Sequence, residues 1–530
     1  MRNNYWRIII LTLFGVCCPL VAIYAQNDEN KGHLSGSFET NTIWYIPDKV
    51  VTPNDRFGSN NYLKLDYSRG NFSAGFQYEL YAPVLQGFNQ NLKGGKITNK
   101  FAAWSDGKFD VTVGDFFEQF GNGLVLRSYE DRALGFNNSL EGVRAGFNND
   151  LISVKAIWAR PRLNMEYADT WVRGADISLS LTSLLKMDRH FLAVEGSYVN
   201  RYEAVGRPDY PVGSNMNLWS GRLVFDSDWG FSARGEYVGK GAAAYLNTST
   251  GAYEAKRGNA QLLELSYNNS GLGIFLTGRR LDHMAVKISE ANETATEMDV
   301  LNYLPALIRQ YPYSLATLEP YSTETEGEQG GQLDIFYTFA RGTALGGKYG
   351  TKIHANASTF YPLEKKGRKM NAFYRDISFD IEKQWNRKFK TTFLYAVQTF
   401  SPDHAVTGTT WVNNVFVADL LYKITNRNSI RLELQYLYCD DPRPVKEQSD
   451  WMAALVEVNF APNWSFFVSD MYNHGGEKVH YYSAGMSYSK SRTRVALSYG
   501  RNRAGYVCSG GVCRYMPAYT GANIAITTSF

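Results

Sequence analysis

Apolar and polar residues alternate with a period of two along most of the chain. Phe72, Ala74, Phe76, Tyr78 and Leu80 alternate with Ser73, Gly75, Gln77 and Glu79. Ile430, Leu432, Leu434, Tyr436 and Tyr438 alternate with Arg431, Glu433 and Gln435, and Val495, Leu497 and Tyr499 with Arg494, Ala496 and Ser498. Successive side chains of an extended chain point to opposite faces, so each stretch predicts a strand with one apolar and one polar face. A soluble β-sandwich would show the same alternation with its apolar face turned inward. Connection lengths separate the two cases.

Counting back from Phe530 places about 24 strands, among them strands near 34–46, 108–117, 138–147, 172–184, 345–357 and 521–530. Tight turns such as Asn148-Asn149-Asp150, Asp226-Ser227-Asp228, Asn268-Asn269-Ser270 and Ala461-Pro462-Asn463 alternate with longer connections such as Ser401 to Thr410 and Asp440 to Asp450. Segregation of loop length by parity predicts an all-β, transmembrane, antiparallel up-and-down β-barrel with short periplasmic turns and longer extracellular loops. A sandwich has no reason to sort its loops in this way.

The two ends point to the same compartment. Arg2 and Arg7 precede the apolar run Ile8 to Val16, and a cleavage point follows Ala25, which reads as a secretory signal peptide over residues 1–25. Cys17 and Cys18 leave with it, since their neighbours do not form a lipobox. Residues 26–530 are then the barrel. In the last strand Ala522, Ile524, Ile526, Thr528 and Phe530 share a face. A terminal aromatic behind such alternation resembles the signal read by the outer-membrane assembly machinery during insertion. The expected location is the cell outer membrane, with its lipid as the surrounding partner.

Composition fits this picture: 36 Tyr, 30 Phe and 11 Trp suit aromatic girdles, and 16 Pro leave room for many strands. A net charge of +4 on 530 residues argues against a nucleic-acid partner. Inward positions inferred from the alternation include Glu79, Glu195, Arg234, Glu236, Glu264, Asp376, Asp380, Arg431, Glu433, Glu457 and Arg494. Both signs are present, so no simple ion preference follows. Pairing between neighbouring strands accounts for most of them.

Two connections stand out. Residues 118–137 and their flanks carry Asp115, Glu118, Arg127, Glu130, Asp131, Arg132 and Arg144. Acids and arginines fixed across a narrow passage select solutes by their field, so these seven are candidate constriction residues. A salt-bridged rim loop that never meets a solute would have the same composition. Leu124 to Arg127 resembles a strand, but counting it would break the parity of every other connection, so the segment is expected to be a loop. The second connection, 282–330, contains Leu301, Leu304, Leu307, Ile308 and Leu315, a pattern that predicts a short amphipathic helix within Met298 to Leu318, broken at Pro305 and Pro312. A lid, a lumen plug, a docking surface and a loop packed on the rim all fit it.

The remaining chemistry is sparse. Cys508 and Cys513 flank Ser509-Gly510-Gly511-Val512, whose glycines allow the reversal of a small disulfide ring; a redox or metal pair would share the spacing, but no histidine supports a metal. Cys439 is left over. Gly342 to Lys348 has phosphate-loop spacing, but Tyr349 stands where Ser or Thr would hold magnesium. With no nucleophile elbow and no zinc-type histidine pair, no catalytic residue, metal or cofactor is assigned and an enzyme is not expected.

At Gly114 through Arg144, at Asn302-Tyr303-Leu304-Pro305-Ala306-Leu307 and at Cys508 through Arg514, the chain resembles an uncharacterised, porin-like family of Bacteroidota outer-membrane β-barrel proteins. The resemblance runs over nearly the whole mature chain and implies location and fold, but no activity. Two functions follow as expectations. The first is a channel or transporter for small hydrophilic solutes, with residues 118–137 as its constriction. The second is a non-transporting barrel that scaffolds a cell-envelope complex through its extracellular loops.

Overall fold

The computed structural model describes residues 32–49, 55–187, 189–204, 211–247, 250–290, 299–363, 371–401, 410–441, 449–509 and 512–530. The expected signal peptide over 1–25 and the start of the expected helix at Met298 lie outside the described residues. Twenty-four antiparallel strands hydrogen-bond in chain order into one closed barrel. The first, His33–Tyr45, pairs with the second and also with the last, Tyr519–Ser529, which seals the ring. Closure leaves no strand edge exposed.

The outer wall is apolar at mid-height, where Val194, Leu223, Leu263, Ile377 and Val468 face outward and are exposed. Trp158, Trp171 and Trp219 ring the long-loop end and Trp229, Trp385 and Trp464 the short-turn end. An apolar band between aromatic girdles is the surface of a barrel that faces lipid. Among the described residues no helix is long and apolar enough to cross a membrane.

The turn rim departs from expectation twice. The strand expected over 172–184 ends at Ser180, and Leu181–Leu185 forms a single helical turn. The Ser180 side chain accepts from the Ser183 amide and caps it, and Lys186 ends it in the left-handed region. The strand expected from 345 begins at Thr351. Residues 340–350 wind through consecutive turns instead, with Gly342, Gly347 and Gly350 at φ of 85°, 60° and 87°, a region that strands do not use. The phosphate-loop-like spacing falls within this turn.

Candidate functional site

The interior of the barrel at its long-loop end is filled by its own loops. Residues 117–139 leave the strand Phe109–Phe116 and return to Leu140–Asn148 by way of two miniature hairpins, Gln119–Phe120 with Leu126–Arg127 and Glu130–Asp131 with Phe136–Asn137. Neither hairpin joins the barrel sheet, as the parity argument requires of Leu124 to Arg127. Phe120, Leu124, Val125 and Leu126 are fully buried against inward-facing Ala159, Val172, Leu218, Val238 and Ala260 of the wall. A loop so apolar can be stable only where something covers it, and here the lumen wall does so.

The second long connection, 283–326, joins this core. Met284, Val286, Ile288 and Leu301 belong to the same cluster, whereas Tyr313, Leu315, Ala316 and Leu318 pack on Leu394, Val415, Val417, Leu437 and Cys439. The segment therefore crosses the lumen from the region of the tenth strand, Asn215–Ser227, to that of the nineteenth, Asn428–Asp440. Its expected helix is absent from the described residues. Only Leu315–Thr317 makes a 3-10 turn. Pro305 and Pro312 remove amide donors, and the Lys287–Val300 bridge draws the chain into an extended path.

Asn302 ties the two loops together. Its Nδ2 donates to the Leu124 carbonyl (3.1 Å) and the Met284 carbonyl (2.8 Å), while its Oδ1 accepts from the Val286 amide (3.1 Å). The Arg127 amide donates to the Leu301 carbonyl and the Tyr303 amide to the Gly123 carbonyl. The Arg127 guanidinium lies 3.9 Å from the Tyr303 ring centre and 4.9 Å from that of Tyr129. On the far wall Arg309 pairs with Asp380 (2.6 Å), Tyr311 donates to Asp376 (2.6 Å), and the Leu315 amide donates to Gln435 (2.9 Å).

A third segment covers the others. Cys508 and Cys513 are disulfide-bonded within the hairpin Gly505–Ser509 and Val512–Met516. Arg514 of this hairpin donates to the Leu134 and Ala133 carbonyls (3.0 and 2.9 Å) and lies over the Phe88 ring. Nearby, Arg503 donates to the Leu318 carbonyl (3.2 Å). Cys439 is unbridged and buried, facing inward beneath Leu315. The three stretches singled out in the sequence, Gly114–Arg144, Asn302–Leu307 and Cys508–Arg514, are thus the parts that meet inside the barrel.

Six of the seven candidate constriction residues lie inside. Glu118 is flanked by Arg144 (2.5 Å), which also holds Asp110, and by Lys155 (3.0 Å). Burial alone would raise the Glu118 carboxyl, but these cations outweigh it and hold the group below the usual carboxylate range. Arg132 reaches Glu39 (2.7 Å), Gln77 (2.9 Å) and Glu130 (3.3 Å) and stacks on Tyr62. Asp131 accepts from the Leu134 amide and shapes its own loop. Arg127, as described, joins the two loops rather than facing an open passage.

Asp115 is elsewhere. It shares strand parity with Val111 and Val113 and pairs with Glu141, which shares a face with exposed Val143, so Asp115 lies on the outer wall. There it accepts from Tyr167 (2.6 Å) and the Lys100 amide (2.9 Å) in a rim cluster with Glu141 and Arg160. Its nearness to the loop in sequence suggested the lumen; its period-two parity places it outside.

The sequence pattern alone did not pick out Arg162, Arg279 or Glu328. Arg162 grips Glu79 with two bonds of 2.7 Å, both side chains almost wholly buried. Arg279 and Glu328 pair at 2.6 Å with no exposure, and Tyr321 of the long loop donates to the same carboxylate. Their strands carry inward charge at the plugged end, but the partners are brought together only by the fold.

The sequence matches the family of unknown function DUF6029 over residues 5–530. The chain belongs to that family. No curated protein matches it. Among solved structures it is similar to the translocation pore of the P pilus usher PapC, at 8% identity and a TM-score of 0.45, over 94% of this chain and 99% of that one. It is also similar to the siderophore receptor PirA from Pseudomonas aeruginosa, at 10% identity and a TM-score of 0.42, over 94% and 81% of the two chains. A mutant Rh. blastica porin matches at 11% identity and a TM-score of 0.28, over 64% of this chain and 100% of the porin. At these levels of similarity none of them speaks for the function of this chain.

Proposed function

We propose that this chain is a plugged transport barrel of a Bacteroidota outer membrane, passing small hydrophilic solutes when its interlocked loops shift. The observation that carries this reading is the pair of loops, 117–139 and 283–326, folded into the lumen and joined through Asn302. Barrels of about 16–18 strands already enclose an aqueous channel, and wider ones are selective only if something fills them. Below the loops the wall is polar and carries both signs, with Arg431 beside Asp419 and Lys390 beside Glu382. Such a lining suits solutes that keep part of their hydration.

Single-channel recording in planar bilayers tests it. Wild type is expected to show low, intermittent conductance, and deletion of residues 119–136 a larger, ohmic one. A barrel that stays silent after the deletion and co-purifies with stoichiometric envelope partners would overturn the proposal in favour of a scaffold.

A further inference from the structure

Beneath the plug two neighbouring strands, Leu272–Asp282 and Gly327–Phe339, present their inward faces side by side. Towards the plug these faces are covered, at Leu281, Arg279 and Glu328. Towards the turn rim they end in Phe275 and Phe336, which point into the lumen yet are 40% and 43% exposed. Burying a phenylalanine side chain is worth about 1.5–3 kcal/mol, so two uncovered rings on a polar wall are a standing cost unless something covers them.

The rings form a corner. Their centroids are 6.1 Å apart with planes at 80°. His354, from the next strand, stacks on Phe336 at 4.0 Å and is held by Asp334 (2.9 Å) and Asp380 (3.1 Å), which fixes the ring plane. Beside the corner lies an open recess of about 540 Å³, lined by Asn268, Asn269, Gly271, Gly273, Phe275 and Phe336. A Cβ on Gly273 would come within 3.1 Å of the Asn268 Oδ1 and 3.3 Å of the Phe275 ring, so the glycine keeps the recess clear. Asn268 offers an exposed carboxamide at its edge.

The two carboxylates that hold His354 are already paired. Asp334 accepts from His354 and Asn356, and Asp380 from His354 and Arg309. A neutral ligand fits these groups, with a flat apolar face for the rings and hydroxyl groups for the amide edge. A pyranose ring has that form, its C–H bonds on one face and its hydroxyls around the rim. We propose that the Phe275–Phe336 corner is a saccharide-binding site on the lumen wall below the plug. This names the solute class of the transport reading and relies on that reading for access.

Calorimetry on the full-length protein in detergent, with maltohexaose, cellohexaose, xylohexaose and mannohexaose as separate probes, tests it. At least one is expected to bind. Phe275→Ala and Phe336→Ala should each weaken that binding tenfold or more, about 1.4 kcal/mol. Heat-modifiable migration on gels should stay at the wild-type position. Phe275→Leu and Phe336→Leu, which keep apolar volume but lose the flat ring, should weaken it similarly, and Phe275→Trp should restore it. Failure of all four probes, or binding that survives both alanine variants, overturns the site. A barrel that binds sugar but never conducts would sink the transport reading and leave the site standing. Conductance without sugar affinity would do the reverse.

Discussion

The two halves of the lumen wall, read along one strand, behave as different materials. On Asn428–Asp440 the inward positions run Arg431, Glu433, Gln435, Leu437 and Cys439 from the turn rim to the loop rim. Leu437 and Cys439 are buried under Leu315 and Leu318, whereas Arg431 keeps 28% of its side chain exposed and shares Asp419 with the lumen. The neighbouring strand Trp411–Lys423 repeats the order, with Asp419 low and Val417 and Val415 higher. Backbone and face are the same, so the difference lies in what covers them. On these two strands the apolar inward residues mark the footprint of the plug and Arg431 with Asp419 the wall beyond it, whereas charge under the plug, as at Arg279 and Glu328, is held in buried pairs.

That contrast can be broken most severely at Glu79. Replacing it by Ala leaves the Arg162 guanidinium buried and unpaired in the plugged half, and removal of one partner of such a pair costs about 3–5 kcal/mol. The urea midpoint of the refolded barrel should fall accordingly. A loss below about 1 kcal/mol would mean that the plugged half is wetter than its burial indicates. Asn302→Ala acts on the plug alone. It strands the Val286 amide and the Leu124 and Met284 carbonyls, at about 1–3 kcal/mol for each group left without a partner. Amide exchange across 117–139 should quicken while the barrel strands stay protected. Equal exchange in the variant and the wild type would show that the loops do not depend on each other. The smallest effect is expected at Lys390→Met in the open half. Its partly exposed pair with Glu382 should change the stability read from urea unfolding by no more than about 1 kcal/mol.

The barrel was legible because a period of two repeated along the chain and sorted its turns by length, and both properties are local. The plug was legible only in part. Leu437 and Cys439 break the alternation by placing apolar residues on the polar face, which signals that something covers them. Nothing local says that Leu315 does so. Arg162 and Glu79 lie 83 residues apart, and only barrel closure brings them together. Asp115 was misplaced because its distance from the loop was weighed above its parity with Val111 and Val113. The helix expected within Met298 to Leu318 followed a spacing that suited burial in an extended, proline-broken path equally well. At Ser180 a serine ahead of Leu181-Thr182-Ser183-Leu184-Leu185 was a capping signal hidden by the alternation before it.

The seam between the first and last strands also sets an order in time. His33–Tyr45 waits for Tyr519–Ser529, so the ring stays open until nearly the whole chain has been delivered. Both plug loops precede that final strand, and the hairpin bearing Arg514 comes immediately before it. Contacts such as Arg514 to Ala133, spanning 381 residues, form late because the intervening chain must first be arranged. The plug is therefore walled in rather than threaded through a finished ring. The stretch of chain that brings the last strand home also carries the clasp that shuts over it.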